Sequence, residues 1–352
     1  MASFNCRDFP TIALDDAACE IVIIDQTLLP QEVKLLRLSR MEDIWEAIKM
    51  LRVRGAPAIG VAAAFAVYLA AKAIDTEDIQ LFREKFNAAA DYLATSRPTA
   101  VNLFWALDRM RGVISGLDGK VNVEQLKAAL LKESLVIRDE DIAICKAIGE
   151  HALGLLKPGM GLLTHCNAGR LATVEYGTAT SVMYLGHEKG YGFKIYCDET
   201  RPLLQGARLT AFELSAAGMQ PTIICDNMVS SLMMEGKVDA VFTGCDRVAA
   251  NGDSANKIGT SGVAIIAKHY GVPFYICAPS STLDMATSDG AGIVIEQRAP
   301  EEVTEMWYAH RMAPTEAGVY NPAFDITDSS LITAIITEDG VFSPNQLKAH
   351  YS

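Results

Sequence analysis

The sequence predicts an α/β protein with a C-terminal Rossmann-like domain, built on a doubly wound, mainly parallel sheet. An N-terminal domain of a small antiparallel sheet plus helices precedes it. Three observations predict this class. The chain opens with a hairpin pattern, a series of helical patterns follows, and short apolar runs then alternate with helical stretches. In open sheets of this kind ligands bind beyond the carboxyl ends of the strands, so we expect a functional site there.

The composition is typical of a soluble enzyme with two domains. The chain has 352 residues, of which 50% are hydrophobic and 21% charged, enough to form two cores. A net charge of −12 argues against general affinity for nucleic acid or anionic membranes. Residues 1–8 lack a signal-peptide pattern, and the longest uncharged run, 56–71, is interrupted by Pro57 and Gly60. We therefore expect a cytoplasmic protein with no nucleic-acid or membrane partner.

The eight cysteines predict neither disulfides nor a metal site. No Cys-x-x-Cys pair occurs, and a chain of this size does not need cross-links. Cys197, Cys225 and Cys277 end apolar runs, where a thiol usually behaves as a small hydrophobic group. His165 and Cys166 are adjacent and cannot easily face one ion. Because the G-x-G-x-x-G fingerprint is also absent, we expect no cofactor.

The first 122 residues contain the hairpin pattern and four helical patterns. Strand-like runs at 20–25 and 33–38 flank a turn at 29–31. Helices are predicted from Glu42 to Arg52, from Pro57 to about Ala73, from Thr76, and from Pro98 to Ile114. A breaker at 116–119 places the domain boundary after Asn122, which gives an N-terminal domain 1–122 and a catalytic domain 123–352.

The catalytic domain opens with a long helix from Val123 to about Leu156, with an interruption near Arg138. Six strands are predicted beyond it, at 161–165, 193–197, 222–225, 240–243, 274–277 and 293–296. Helical stretches separate most of these strands, which is typical of a doubly wound parallel sheet. The final segment, from Met306 onwards, shows no regular pattern and remains unassigned.

Two loops place an arginine just before a proline that opens a helix. One contains Arg54, Gly55 and Ala56, and the other contains Arg97. Such a side chain and the helix N-terminus can bind one anion together. The alternative for each arginine is a solvated surface residue.

Polar segments follow four of the predicted strands, at 165–170, 198–206, 226–227 and 243–260. The last is a long turn before a helix, in which Asp246, Asn256 and Lys257 supply an acid, an amide and a cation. Its glycines permit close approach to a ligand, and the helix N-terminus favours an anion. The alternative is an ordinary loop in which Asp253 or Asn256 caps the helix.

Cys166 lies where a strand breaks into a glycine-containing loop. A thiol near amide dipoles and a cation can have a lowered pKa and act as a thiolate. The alternative is a buried structural cysteine.

Four segments together resemble the methylthioribose-1-phosphate isomerases. They are residues 54–60, residues 164–169, residues 198–202 with 205–210, and residues 246–260. Similar motifs occur in ribose-1,5-bisphosphate isomerases and in regulatory subunits of the initiation-factor guanine-nucleotide exchange factor. The fold therefore does not by itself decide among these functions.

The resemblance implies a homodimer that converts a 5-substituted ribose 1-phosphate to the ribulose 1-phosphate. It implies that Cys166 and Asp246 are catalytic. The substrate-binding residues that it implies are Arg54, Gly55, Ala56, Arg97, Gln205, Asn256 and Lys257.

The chemistry accounts for these residue types. Because phosphate blocks the anomeric oxygen, the ring opens only when its oxygen is protonated, and Asp246 is the candidate acid. An aspartate with a pKa near 3.9 is ionised at neutral pH, so desolvation must raise it. Cys166 as a thiolate either relays the proton from C2 to C1 or assists a hydride shift, and both routes remain open.

Arg170 departs from the family pattern, in which a small residue usually follows Cys-Asn-Ala-Gly. One interpretation is that it pairs with a second phosphate, as a bisphosphate isomerase requires. The other is that it points outward, pairs with Glu175 or caps a neighbouring element. We favour the second, because an unpaired buried guanidinium beside a methylthio group is costly. A nucleotide-dependent enzyme is disfavoured, because no phosphate fingerprint follows the first strand.

Overall fold

The structure is a computed structural model that describes residues 9–98, 100–117 and 121–351. The predicted breaker at 118–119 and the N-terminal residues 1–8 lie outside these ranges. The chain forms two units. The first comprises the residues up to Ile144 together with Arg170–Gly177, and the second comprises Cys145–Gly169 and the residues from Thr178 onwards.

This division differs from the expected boundary after Asn122. The reason is the long helix at 123–153, which is continuous and whose first half packs into the core of the first unit. Val123, Leu126 and Leu130 are buried there. The expected interruption near Arg138 is absent, because the helix is continuous from Val123 to Leu153.

The strands of the first unit are β1 (Ile12–Asp15), β2 (Glu20–Ile24) and β3 (Leu35–Leu38), which form an antiparallel sheet in that order. Its helices are α1 (Met41–Lys49), α2 (Ala56–Ala73), α3 (Ile79–Ala94), α4 (Val101–Gly116) and α5 (Val123–Leu153), of which the residues from Cys145 onwards belong to the second unit. The predicted hairpin is confirmed as β2 and β3. β1 (Ile12–Asp15) was not predicted.

Helix α2 is the centre of the first unit. It confirms the helix predicted from Pro57 to about Ala73, and it continues through both Pro57 and Gly60. Proline is tolerated in the first turn of a helix, because its nitrogen has no hydrogen-bond partner within the helix there. Gly60 lies where α4 packs closely against α2, since a Cβ on Gly60 would lie 3.2 Å from the backbone oxygen of Asn102. α2 is long and apolar enough to cross a membrane by composition alone. However, 72% of it is buried in the protein, as in the core helix of a soluble protein.

Helix α4 begins at Val101, not at Pro98 as predicted. The N–H of Ala100 donates to the carbonyl of Arg97 (3.0 Å), which makes a separate turn ahead of the helix. Arg97 therefore precedes the helix by a full turn.

The strands of the second unit are β4 (Gly161–Thr164), β5 (Lys194–Asp198), β6 (Thr222–Ile224), β7 (Ala240–Thr243), β8 (Arg247–Ala249), β9 (Ser254–Lys257), β10 (Phe274–Cys277), β11 (Leu283–Asp284), β12 (Phe324–Thr327), β13 (Ala334–Thr337) and β14 (Gly340–Phe342). Its helices are α6 (Ser181–Glu188), α7 (Ala211–Ala216), α8 (Val229–Met234), α9 (Thr260–Tyr270), α10 (Glu301–Thr304) and α11 (Leu347–Tyr351).

The large sheet has the strand order β14-β13-β10-β7-β4-β5-β6, and every neighbouring pair is parallel except β13 with β14. From β4 the chain moves through β5 and β6 to one side. It then returns to β7 and continues through β10 and β13 on the other side. The order therefore reverses between β4 and β7, which is the switch point where ligands bind in such sheets.

Two features of this unit differ from the prediction. Residues 293–296 are not a strand, because Ile293 is buried against Ala249 and Ala255 and the run lies outside the large sheet. The sixth parallel strand is β13, from the unassigned C-terminal segment. The predicted long turn after β7 contains the hairpin β8–β9, which belongs to a second sheet in the order β11-β8-β9-β12.

The burial of α2 leads to a stability prediction. Phe65 on α2 is fully buried, whereas Phe104 on α4 is 36% exposed. Phe65→Ala should lower the free energy of unfolding by about 3–5 kcal/mol, because it removes a large core side chain and leaves a cavity. Phe104→Ala is the control and should cost less than about 1 kcal/mol. Urea denaturation measures both, and equal losses would contradict the packing described.

Candidate active site

The ends of β4 and β7 bring two loops together at the switch point. Leu163 on β4 pairs with Val241 on β7, so the strands leave the sheet side by side. A Cβ on Gly244 would lie 2.5 Å from the Cβ of Ala168, so only glycine lets the two loops approach this closely. Cys166 and Asp246 therefore lie on loops that touch.

Cys166 has a strained backbone that two threonines hold in place. Its φ is +65°, a left-handed conformation that residues with a side chain seldom adopt. Its N–H donates to Thr200 Oγ1 (2.8 Å), and Thr210 Oγ1 donates to its carbonyl (2.6 Å). Strain of this kind is concentrated at functional sites, where the surrounding structure maintains it.

The residues after Cys166 pack around the buried carboxylate of Glu213. Asn167 Nδ2 donates to Glu213 Oε2 (3.3 Å), and Thr180 Oγ1 donates to Glu213 Oε1 (3.3 Å). A Cβ on Gly169 would collide with the same carboxylate. Each residue that follows Cys166 therefore has a defined contact. Asn167 and Gly169 pack against Glu213, and Ala168 packs against Gly244.

His165, directly before Cys166, is buried and bonded through both ring nitrogens. Nδ1 lies 2.8 Å from Asp198 Oδ2, and Nε2 donates to the Ile258 carbonyl (2.8 Å). Burial lowers the pKa of His165, but the hydrogen bond to Asp198 and the negative charges of Asp198 and Asp226 together outweigh burial, so the pKa lies above its usual value. For the Asp198 carboxyl, burial has the opposite effect and raises the pKa, although the hydrogen bond to His165 and the charge of His165 lower it.

The turn after β5 is fixed by Asp226, whose two oxygens accept from the N–H groups of Thr200 (2.8 Å) and Arg201 (2.7 Å).

Ligand atoms of His165, Asp198 and Asp226 lie within 4.8 Å of one another. The imidazole nitrogens and the Asp226 oxygens already bond to other protein groups, so these donors are not arranged around a shared ion.

Gln205 lies at the start of a π-helical turn, Gly206–Thr210. Such turns are frequent at functional sites. A Cβ on Gly206 would collide with the carbonyl of Asp198, so glycine lets this turn sit against the end of β5. Gln205 is buried, and its Oε1 has no hydrogen-bond partner in the part of the chain that the structure describes. It can therefore accept from a ligand hydroxyl.

Asn256 and Lys257 lie on β9 rather than in an open turn. Asn256 is buried, and its Nδ2 donates to Thr260 Oγ1 (3.0 Å). Lys257 Nζ donates to the Ala323 carbonyl (2.9 Å) and lies 4.6 Å from the centre of the Phe324 ring. Both side chains are therefore held in defined positions.

The N-terminus of α9 does not provide the expected anion site. The carboxylate of Asp325 accepts from the N–H groups of Gly259 (2.8 Å) and Ser261 (3.2 Å), so the chain's own anion already occupies it. The alternative expectation is also wrong, because the side chain that bonds this helix start is that of Asp325 and not that of Asp253 or Asn256. Asp253 instead accepts from the N–H groups of Gly290 and Ser329.

Asp246 is exposed in this structure. Its N–H donates to the Ala255 carbonyl (2.9 Å), which fixes the backbone and leaves the carboxylate at the surface of the second unit. The desolvation expected for an acid is therefore not provided by the packing of this unit.

The remaining predicted residues, Arg54, Gly55, Ala56 and Arg97, belong to the first unit. Gly55 is the N-cap of α2 with φ +91°, and a Cβ there would collide with Ala172. The N-cap residue of α2 offers no side-chain bond to the helix. Because Gly60 contacts Asn102 near the start of α4, Arg54 and Arg97 precede helix starts at the same end of the unit.

Arg170 does not point outward, so that expectation is wrong. Its side chain is buried, and its Nη2 donates to the Phe9 carbonyl (3.3 Å). Thr11 Oγ1 in turn donates to the Arg170 carbonyl (3.0 Å). Arg170 therefore ties the start of the described chain to the segment Arg170–Gly177 within the first unit.

Several residues that shape the site were not predicted as site residues: His165, Asp198, Thr200, Thr210, Glu213 and Asp325. The only signal in the sequence was position, because His165 precedes Cys166 and Asp198 ends a strand. Their partners lie 33 to 93 residues away along the chain, beyond the reach of local patterns.

Comparison with known proteins gives a consistent result. The sequence model of the Initiation factor 2 subunit family matches residues 52–344. A methylthioribose-1-phosphate isomerase from Symbiobacterium thermophilum is 61% identical over 338 residues, covering 96% of this chain and 94% of the relative. A 5-deoxyribose 1-phosphate isomerase from Petrotoga mobilis is 58% identical and covers 94% of each chain.

Solved structures share the fold. The crystal structure of 5-methylthioribose 1-phosphate isomerase from Pyrococcus horikoshii OT3 superposes with a TM-score of 0.90 at 42% identity, covering 97% of this chain and 94% of that one. A structure described as translation initiation factor eIF-2B, subunit delta, from A. fulgidus superposes with a TM-score of 0.87 at 41% identity, covering 96% and 97%.

The surroundings of the cysteines predict their relative reactivity. Burial raises the pKa of Cys197 and Cys277, and raises that of Cys245 to about 12, so these thiols stay protonated at pH 8. We expect iodoacetamide at pH 8 to modify Cys166 before these three, as measured by mass spectrometry of peptides. The exposed Cys19 provides the reference rate. Faster labelling of Cys197 than of Cys166 would contradict an activated Cys166.

Proposed function

This chain belongs to the initiation factor 2 subunit family, and we propose that it is an isomerase of that family. It converts 5-methylthioribose 1-phosphate, or 5-deoxyribose 1-phosphate, to the corresponding ribulose 1-phosphate in methionine salvage or related 5-deoxysugar salvage. The observation that carries this is the placement of Cys166 and Asp246 on touching loops at the switch point of the sheet. Relatives named as these two isomerases match nearly the whole chain.

The proposed roles follow from the chemistry of the substrate. Asp246 protonates the ring oxygen and opens the ring, and Cys166 then acts in the transfer of hydrogen from C2 to C1. Two hydrogen bonds hold the strained backbone of Cys166, one at its N–H and one at its carbonyl. They support a fixed position of the thiol, which proton or hydride transfer requires. Because Asp246 is exposed, substrate binding itself has to exclude water from it.

Substrate recognition is assigned to residues of both units. Arg54 and Arg97 are cations at helix starts on one end of the first unit, an arrangement that suits a phosphate. Gly55 and Ala56 form the start of α2, where backbone N–H groups are available to an anion. Gln205, Asn256 and Lys257 are held at the carboxyl edge of the large sheet and suit sugar hydroxyls and phosphate.

A regulatory exchange-factor subunit is the second candidate, since the structure described as translation initiation factor eIF-2B, subunit delta, shares the fold at 41% identity. Such a role needs no thiol–carboxyl pair, and the supported Cys166 loop therefore favours the enzyme. We further propose that the protein is a cytoplasmic homodimer.

The catalytic assignment is tested by two substitutions. Cys166→Ala and Asp246→Asn should each lower kcat by at least about 10³-fold with little change in sugar-phosphate binding, because both groups act in the transition state. Cys225→Ala and Asp75→Asn, at exposed positions, are the matched controls and should keep normal turnover. Ketone formation from the sugar phosphate measures kcat. Near-normal kcat in either site variant would remove that residue from catalysis.

The burial of Arg170 predicts substrate preference. The burial of Arg170 and its bond to the Phe9 carbonyl support the proposal that it does not bind a second phosphate. We expect kcat/KM to be at least about tenfold higher for the methylthio or 5-deoxy substrate than for the 5-phospho substrate. Arg170→Ala should lower the Tm without changing this ratio. A preference for the bisphosphate that is lost in Arg170→Ala would overturn the assignment.

A further inference from the structure

His165 and Asp198 are buried, lie next to the proposed catalytic centre and have no role in the chemistry described above. His165 is the residue before Cys166, and its imidazole joins three segments: the ends of β4 and β5 and the turn at Ile258. Two features of this arrangement indicate the role of the pair. They are the number of protons that the imidazole and the carboxyl share, and the lack of space around the imidazole ring.

The hydrogen count follows from the acceptors. The Ile258 carbonyl can only accept, so Nε2 carries a hydrogen. The 2.8 Å contact between Nδ1 and Asp198 Oδ2 then needs a second hydrogen, on one atom or the other. Without it, two lone pairs would face each other. The pair is therefore either imidazolium with carboxylate or imidazole with carboxylic acid, and it has no net charge in either form.

The space around the ring leaves it no freedom. A Cβ on Gly259 would lie 2.8 Å from Cε1 of His165, so a glycine with φ +103° lets the backbone press against the imidazole edge. The other oxygen of Asp198, Oδ1, is buried without a hydrogen-bond partner among the described residues. Asp198 thus depends on His165 for its hydrogen bond, and His165 depends on Asp198 and Ile258 for its orientation.

Each of these segments carries a proposed site residue or its support. Cys166 follows His165 directly. Thr200, which accepts from the Cys166 N–H, lies two residues after Asp198. Asn256 and Lys257 immediately precede Ile258. The imidazole is therefore the direct link between the loop that holds the thiol and the strand that holds the amide and the cation.

We propose that His165 and Asp198 are a positioning pair, which holds the Cys166 loop at a fixed distance from the Asn256–Lys257 strand. The two side chains do not themselves contact the reacting atoms in this proposal. It rests on the proposed isomerase function for its kinetic test, and on the geometry alone for the tests that need no turnover.

Removing the carboxyl should loosen the thiol. Asp198→Ala leaves Nδ1 of His165 without a partner and should lower kcat by about 100-fold with KM changed less than about threefold, because a small displacement of a catalytic group has this effect. Asp198→Asn keeps a donor for neutral His165 and should recover at least about tenfold of that loss. Failure of the amide to recover activity would overturn the positioning role, because the hydrogen bond would then not be what matters.

Substitution of His165 tests its two hydrogen bonds, to Asp198 and to Ile258, separately. In His165→Asn the amide can still reach Asp198 but not Ile258, so the strand with Asn256 and Lys257 is released. KM should rise by more than kcat falls. His151→Gln is the matched control, since His151 also bonds one carbonyl, that of Glu338 (3.1 Å), and it should keep both constants. A His165→Asn enzyme that changes only in Tm, with kcat and KM per folded molecule unchanged, would show a merely structural pair.

Two measurements on the whole protein distinguish failure of this proposal from failure of the proposed function. With ¹⁵N-histidine, the wild-type ring N–H signals of His165 should resist exchange from pH 6 to 9, and Asp198→Ala should abolish this. Iodoacetamide should modify Cys166 at least about tenfold faster in Asp198→Ala. If the wild-type protein does not turn over sugar phosphate, the proposed isomerase function is wrong. The N–H exchange and the Cys166 labelling rate still test whether His165 and Asp198 position the Cys166 loop. An unchanged Cys166 labelling rate in Asp198→Ala would overturn it.

Discussion

The carboxyl edge of the large sheet is both buried and polar, and this combination constrains everything built on it. A buried polar group without a partner costs free energy, so side chains at this edge bond one another between loops. Glu213 is bonded by Asn167 and Thr180, and His165 is bonded by Asp198. These pairs join loops from different strands, so that moving one loop would break the bonds of another.

The strained conformation of Cys166 depends on this network. A left-handed cysteine costs about 1–3 kcal/mol relative to an ordinary conformation. Thr200 and Thr210 bond both of its backbone groups, and each threonine is held by a different element. Both supports come from segments outside the Cys166 loop, so the position of the thiol is fixed by more than its own loop. The glycines at 169, 206 and 244 provide the close packing that brings these neighbours within reach.

Much of this could be predicted from the sequence, and the limits have physical causes. β7 and β10 were predicted to the residue, because each is a short apolar run between clear turns. The run at 293–296 has the same pattern but packs against the smaller sheet, and hydrophobicity does not reveal which sheet a segment joins. The occupied N-terminus of α9 depends on Asp325, which is 66 residues from Gly259 in the chain.

The same distinction applies to the site. Cys166 and Asp246 were predicted as site residues because each follows a strand in a glycine-containing loop, and their catalytic roles, which the family resemblance implies, stay a prediction. The exposure of Asp246 could not be predicted, because it depends on the hairpin β8–β9 that the turn contains. The burial of Arg170 likewise depends on Phe9 and Thr11, which lie far from it in the chain.

The segment Arg170–Gly177 has a consequence for how the protein is made. It belongs to the first unit, although it is encoded after the first strand of the second. Gln26 Nε2 donates to the Leu171 carbonyl (2.7 Å), and the Val174 N–H donates to Asp141 (2.7 Å). As the chain leaves the ribosome, the first unit therefore cannot complete its own bonds until the Cys166 loop has also emerged. The first unit is therefore completed only after the residues around Cys166 have been synthesised, so neither unit can be produced whole as a simple truncation.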